Sequence, residues 1–126
     1  MLLFCFSQNH YYFNLMYTKP YFVYILTNEL MSVLYTGVTN DLEQRITEHY
    51  KQRGQHTSFT GRYNVHYLLF YEPYKYINEA IAREKEIKGL TREKKMKLIN
   101  EMNPRLEFLN KEICGCWPPR DLPGRY

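Results

Sequence analysis

Apolar positions alternate through Tyr21–Thr27, with Phe22, Tyr24 and Leu26 on one side and Val23 and Ile25 on the other. Both sides are apolar, a pattern that predicts a strand covered on both faces. Val33–Val38, β-branched and aromatic, predicts a second strand. The short Asn28–Ser32 connection favours an antiparallel hairpin, because a parallel crossover needs a dozen or more residues. Asn40 followed by Glu43 resembles a capping box and predicts a helix from Asp41 to Lys51. Residues 53–64, rich in Gly, Ser, Thr and Gln, read as an exposed loop. Tyr67–Glu72 predicts a third strand that stops at Pro73. Asn78 is placed to cap a helix through Lys88, with Gly89 ending it. Thr91 opens a further helix toward Met102, and Pro104 closes the pattern. The order β-β-α-β-α-α, with so few strands, implies an α+β domain: a small three-stranded antiparallel sheet flanked by helices.

Composition bounds this picture. A chain of 126 residues fits one small domain, and 44% hydrophobic with 24% charged residues is ordinary for a globular protein. Aromatics reach 17%, with 13 Tyr, a residue whose apolar body and polar tip serve core and surface alike. The net charge of +4 permits an anionic partner without demanding one. Cys5, Cys114 and Cys116 match neither a zinc spacing nor an even disulfide framework, so they read as reduced thiols of a cytoplasmic protein. No apolar run has the length of a membrane helix, and Met1–Phe6 lacks the basic start of a secretory signal. Residues 1–17 read as an N-terminal extension or a mis-called start, and residues 18–110 as the patterned domain. Residues 111–126, with Gly115, Pro118, Pro119, Pro123 and Gly124, read as a flexible tail.

Polar residues interrupt the apolar stripes of two helices. Leu42, Arg45, Ile46 and His49 share one face of the first helix, and the apolar pair turns that face toward the sheet. An arginine drawn toward a core pairs with an anion, such as Glu72 or Glu84, or lines a cleft. In the 78–88 helix, Ile77, Ala80, Ile81 and Ile87 form a stripe with Glu84 in its middle, while Glu79, Arg83 and Glu86 point to solvent. A lone carboxylate there either pairs with Arg45 or binds a hard cation. Tyr24 and Tyr35 lie on neighbouring strands, and Gly37 removes a side chain beside them, leaving backbone a ligand could approach. A phenol pair, a fixed cation, an imidazole and a carboxylate together suit phosphodiester chemistry.

These residues resemble the GIY-YIG nuclease domain. Phe22-Val23-Tyr24 is similar to its first motif and Tyr35-Thr36-Gly37 to its second. Asn40–Arg45 with His49 resembles the helix that follows, and Glu79–Lys85 the segment that carries the metal-binding glutamate. The likeness is to small stand-alone bacterial single-domain members, whose Arg-Glu-Lys-x-Ile-Lys-Gly signature is here Arg83 to Gly89. It covers roughly residues 18–110. The chain departs from the family at Phe22, Val23 and Thr36, and has Val38 where several relatives carry lysine.

The resemblance implies a metal-dependent endonuclease acting on DNA, in repair or recombination. Tyr24 or Tyr35 would assist deprotonation of the attacking water, and Arg45 would steady the scissile phosphate. His49 would support proton transfer, and Glu84 would ligate Mg²⁺ or Mn²⁺. To act as a base near neutral pH, a tyrosine must be acidified by roughly 2–3 pH units or relay its proton. Arg62, Lys88, Arg92, Lys94, Lys95 and Lys97 would grip the nucleic acid, although Glu86 and Glu93 are interleaved with the later ones. No separate sequence-reading module is visible, so cleavage is expected to be structure-dependent or weakly specific. The alternatives are a non-catalytic nucleic-acid-binding protein on the same scaffold, and an interaction module in which Arg45 and Glu84 form a structural pair.

Overall fold

The structure, a computed structural model, describes residues 19–119. The extension expected over residues 1–17 lies outside them. Strands β1 (Tyr21–Thr27), β2 (Leu34–Thr39) and β3 (Tyr67–Tyr74) form one antiparallel sheet in the order β2-β1-β3. The helices are α1 (Leu42–Lys51), α2 (Phe59–Arg62), α3 (Ile77–Lys88), α4 (Arg92–Met102) and α5 (Asn110–Cys114). The three-stranded antiparallel α+β architecture agrees with the periodicity.

β1 occupies the centre, which is why both its faces are apolar. Phe22, Tyr24 and Leu26 join Leu42 and Ile46 of α1 in one cluster, on which Leu109, Ile113 and Trp117 also pack. Val23 and Ile25 join Ala80 and Ile87 of α3 and Ile99 of α4 in the other. Helices thus cover both faces, and β1 threads between two cores.

Several boundaries differ from the expectation. α1 is capped by Asp41 instead of Asn40: its carboxylate accepts the Gln44 amide at 3.1 Å, while the Thr39 hydroxyl accepts the Asp41 amide at 3.1 Å. β3 runs through Pro73 to Tyr74, tolerable because β3 is an edge strand and proline lacks only an outward donor there. α3 begins at Ile77 with Tyr76 as its cap and no side-chain bond, so Asn78 lies inside the helix.

The face α3 turns to the sheet is also rotated from the expected stripe. Ala80 and Ile87 are buried, whereas Ile77 and Ile81 are exposed. Arg83, expected to face solvent, turns back to β3 and donates from Nε to the Glu72 carboxylate at 2.9 Å. Tyr74 donates to the same oxygen at 2.5 Å.

Of the stretch 111–126, expected to be flexible, residues 111–119 continue as α5 and then a packed turn, and residues 120–126 lie outside the described ones. Trp117 meets Tyr50 edge-on at 5.0 Å, and both Cys114 and Cys116 are free thiols. Burial pushes the Cys114 thiol up to about 11. Asn110 is buried against edge strand β3, accepting the Leu68 amide and donating to the His66 carbonyl, each at 2.8 Å. Asn103 donates to the Leu69 carbonyl at 3.1 Å. These amides satisfy an edge that would otherwise expose unpaired backbone.

Candidate active site

The site grows from a close approach of β1 and β2. Tyr24 pairs with Gly37 in the ladder, and a Cβ on Gly37 would stand 2.4 Å from the Tyr24 hydroxyl. The phenol therefore occupies the space expected to admit a ligand, and the missing side chain serves Tyr24. Tyr24 is 2% exposed. Burial, with Tyr35 and Glu84 nearby, pushes its pKa well above the ordinary tyrosine range, against a smaller opposing pull from Arg45. The acidification required of a catalytic base is thus reversed at Tyr24, which stays a protonated phenol at neutral pH.

α1 brings His49 to this phenol. The Tyr24 hydroxyl lies 3.4 Å from His49 Nε2, and His49 Nδ1 lies 3.0 Å from the Thr60 hydroxyl. Burial, with the Arg45 charge adding to it, lowers the His49 pKa to about 4, so the imidazole is neutral at neutral pH. Thr60 comes from the segment expected to be an exposed loop. It is instead held in the short helix α2, where the Ser58 hydroxyl caps the Gly61 amide and Thr60 and Gly61 are buried. Sequence reasoning passed over Thr60; Ser58 with Gly61 three positions on was the local sign of a cap.

Tyr35 is half-buried, its ring 5.6 Å from His49, 6.4 Å from Tyr24 and 6.3 Å from Phe59. Both phenols and the imidazole therefore meet in one cluster, at the side of the sheet covered by α1. Arg45 and Glu84 stand at its border and act on Tyr24 through their charge. Neither is a core ion. Arg45 has a 45% exposed side chain and pairs at 3.5 Å with Glu48 of its own helix, while Glu72 is taken by Arg83. Glu84 is 20% exposed and pairs with Lys88 at 3.2 Å. The structural Arg45–Glu84 pair weighed above is not formed.

A hard divalent ion is commonly held by one or two carboxylates, with water and substrate phosphate filling the shell. Glu84, partly open to solvent, fits that role as a single anchor. Among the described residues no three His, Cys, Asp or Glu side chains cluster to form a closed protein cage.

Of the residues expected to grip nucleic acid, Lys94 and Lys97 are exposed and Lys95 is half-buried. Arg62 is exposed and donates to the His56 carbonyl at 3.0 Å. Arg92 is directed to the hairpin, where its guanidinium donates to the Met31 and Ser32 carbonyls. No helix among the described residues is long and apolar enough to cross a membrane.

Residues 20–98 match the family model described as the GIY-YIG catalytic domain. UPF0213 proteins from Staphylococcus aureus strains Mu50 and N315 are each 41% identical over 81 residues, which cover 64% of this chain and 95% of theirs. The solution NMR structure of a UPF0213 protein from Bacillus halodurans is 32% identical, covers 73% of this chain and 95% of that one, and superposes with a TM-score of 0.46.

Proposed function

The chain belongs to the GIY-YIG catalytic-domain family, and from that premise we propose that it is a divalent-metal-dependent endonuclease hydrolysing DNA phosphodiester bonds, with structure-dependent or weak sequence preference. The observation that carries the proposal is the junction of Tyr24, Tyr35 and His49 beside a half-exposed arginine and the partly solvent-accessible carboxylate of Glu84.

Arg45 binds the non-bridging oxygens of the scissile phosphate and meets the charge that grows on them in the transition state. Its partner Glu48 is a surface ion pair, weak enough for a phosphate to displace. Tyr35, the less buried phenol, is the one within reach of solvent and assists the attacking water. Tyr24 stays protonated and positions the cluster: its hydroxyl donates to neutral His49 at Nε2, in the tautomer whose Nδ1–H donates to Thr60 Oγ1. Glu84 would hold Mg²⁺ or Mn²⁺, releasing Lys88 toward the nucleic acid. Bound there, the ion supplies Lewis acidity to the phosphate and leaving oxygen. Arg62, Lys88, Lys94, Lys95 and Lys97 grip the backbone, and Arg92 holds the hairpin to α4.

The test is cleavage of duplex, single-stranded and branched DNA with and without divalent cation, by the wild type and by Glu84→Gln. Nicking should require the cation and vanish in the variant while DNA binding persists. Equal residual nicking by both proteins would reject the enzyme in favour of a non-catalytic DNA-binding protein.

A further inference from the structure

The aromatic cluster does not end at the buried phenols. Tyr35 stacks toward Phe59 at 6.3 Å and an interplanar angle of 28°, and Phe59 meets Tyr63 at 5.0 Å. Exposure rises from 2% at Tyr24 to 51% at Phe59, and Tyr63 is 45% exposed. Two large rings half in water, one of them touching Tyr35, are not explained by packing, because neither belongs to the two cores. The chain on either side of them is cationic. No Asp or Glu occurs between Glu48 and Glu72, while Lys51, Arg53 and Arg62 all fall there. Around α3 and α4, by contrast, glutamates are interleaved with the lysines.

We propose that Phe59 and Tyr63 form a stacking platform for an unpaired base next to the scissile phosphate, selecting DNA with single-stranded character over intact duplex. An aromatic face accepts any base, and surrounding cations follow the backbone, so such a site senses strand state and not sequence. A paired base is already stacked and cannot lie on the rings without being extruded. The substrate class refines the endonuclease assignment and rests on it, but platform and catalysis are separable by experiment.

The experiment measures binding in EDTA, where no metal-dependent cleavage occurs, to a single-stranded oligonucleotide carrying 2-aminopurine and to a blunt duplex carrying the same probe. Wild-type protein should quench the single-stranded probe and leave the duplex probe unchanged. Phe59→Leu and Tyr63→Leu should each weaken single-strand binding by about tenfold, and duplex binding by less than about twofold, as for ordinary surface changes. Phe59→Tyr should restore the quench. If wild-type protein produces no quench, or if the leucine variants bind both DNAs as wild type does, the platform is refuted without recourse to variant folding. A parallel loss on both DNAs refutes it too. Quenching without cation-dependent nicking under turnover conditions would remove the nuclease and leave the platform; nicking without quenching would do the reverse.

Discussion

Gly37→Ala tests the contact on which the site is built. The new methyl carbon would lie 2.4 Å from the Tyr24 hydroxyl oxygen, 2.6 Å from Cζ and 3.0 Å from Cε1. Non-bonded carbon contacts settle near 3.5–4.0 Å, so the ring must retreat by about 1 Å. Tyr24 has nowhere free to go: it is packed among Phe22, Leu26, Leu42 and Ile46, and a rigid phenol cannot fold aside. Overpacking of this kind typically destabilises by about 1–3 kcal/mol. For a domain of roughly 100 residues, each kcal/mol lowers Tm by about 4–8 °C, so a fall of about 5–20 °C is expected in a thermal melt followed by circular dichroism. Nicking should fall further than stability, because the displaced hydroxyl leaves His49. A double-mutant cycle isolates the cause. In a Tyr24→Phe background the 2.4 Å contact disappears but the 2.6 Å contact remains, so only part of the penalty should be relieved. In a Tyr24→Leu background, with the ring gone, alanine at 37 should be nearly silent. A Gly37→Ala protein melting within about 1 °C of wild type, or an equal penalty in the Tyr24→Leu background, would refute the reasoning.

Thr60→Val leaves His49 Nδ1 buried without a partner, which should lower stability by about 1–3 kcal/mol in denaturant unfolding, while Thr60→Ser stays close to wild type. Arg45→Ala should alter stability by less than about 1 kcal/mol, since its pair is a surface one, yet reduce nicking about 10²–10³-fold; unfolding of the variant would assign Arg45 to structure instead. Acid should destabilise the fold through its histidines. Burial lowers both His49 and His66 from 6.5 to about 4, so between those values the unfolded chain binds more protons than the folded one. Their contribution is complete above pH 6.5 and is lost as pH falls toward 4, at most about 3 kcal/mol for each. Urea midpoints at several pH values, in wild type and His66→Gln, check this: a midpoint unchanged between pH 7 and pH 4.5 would contradict it.

The chain by itself determined the sheet and its three longer helices, because periodicity two and periodicity 3.6 are local properties. The apolar run on both sides of Tyr21–Thr27 required a central strand, and Thr91 and Gly89 punctuated the helices where the structure does. The candidate site was proposed from the chain too, since Tyr24, Tyr35, Arg45, His49 and Glu84 stand at motif positions or break a hydrophobic stripe. What each of them does depends on distances no periodicity contains. Only tertiary structure decided that Tyr24 fills the gap left by Gly37, that burial raises its pKa, and that Glu72 takes Arg83 and leaves Arg45 open to solvent. The segment that looked like a loop became the support of His49 through Thr60, and Asn110, at the end of the patterned domain, met the edge of the sheet. Both act on partners far away in sequence, and a hydrogen bond closed across 11 or 42 positions leaves no periodic trace in the chain.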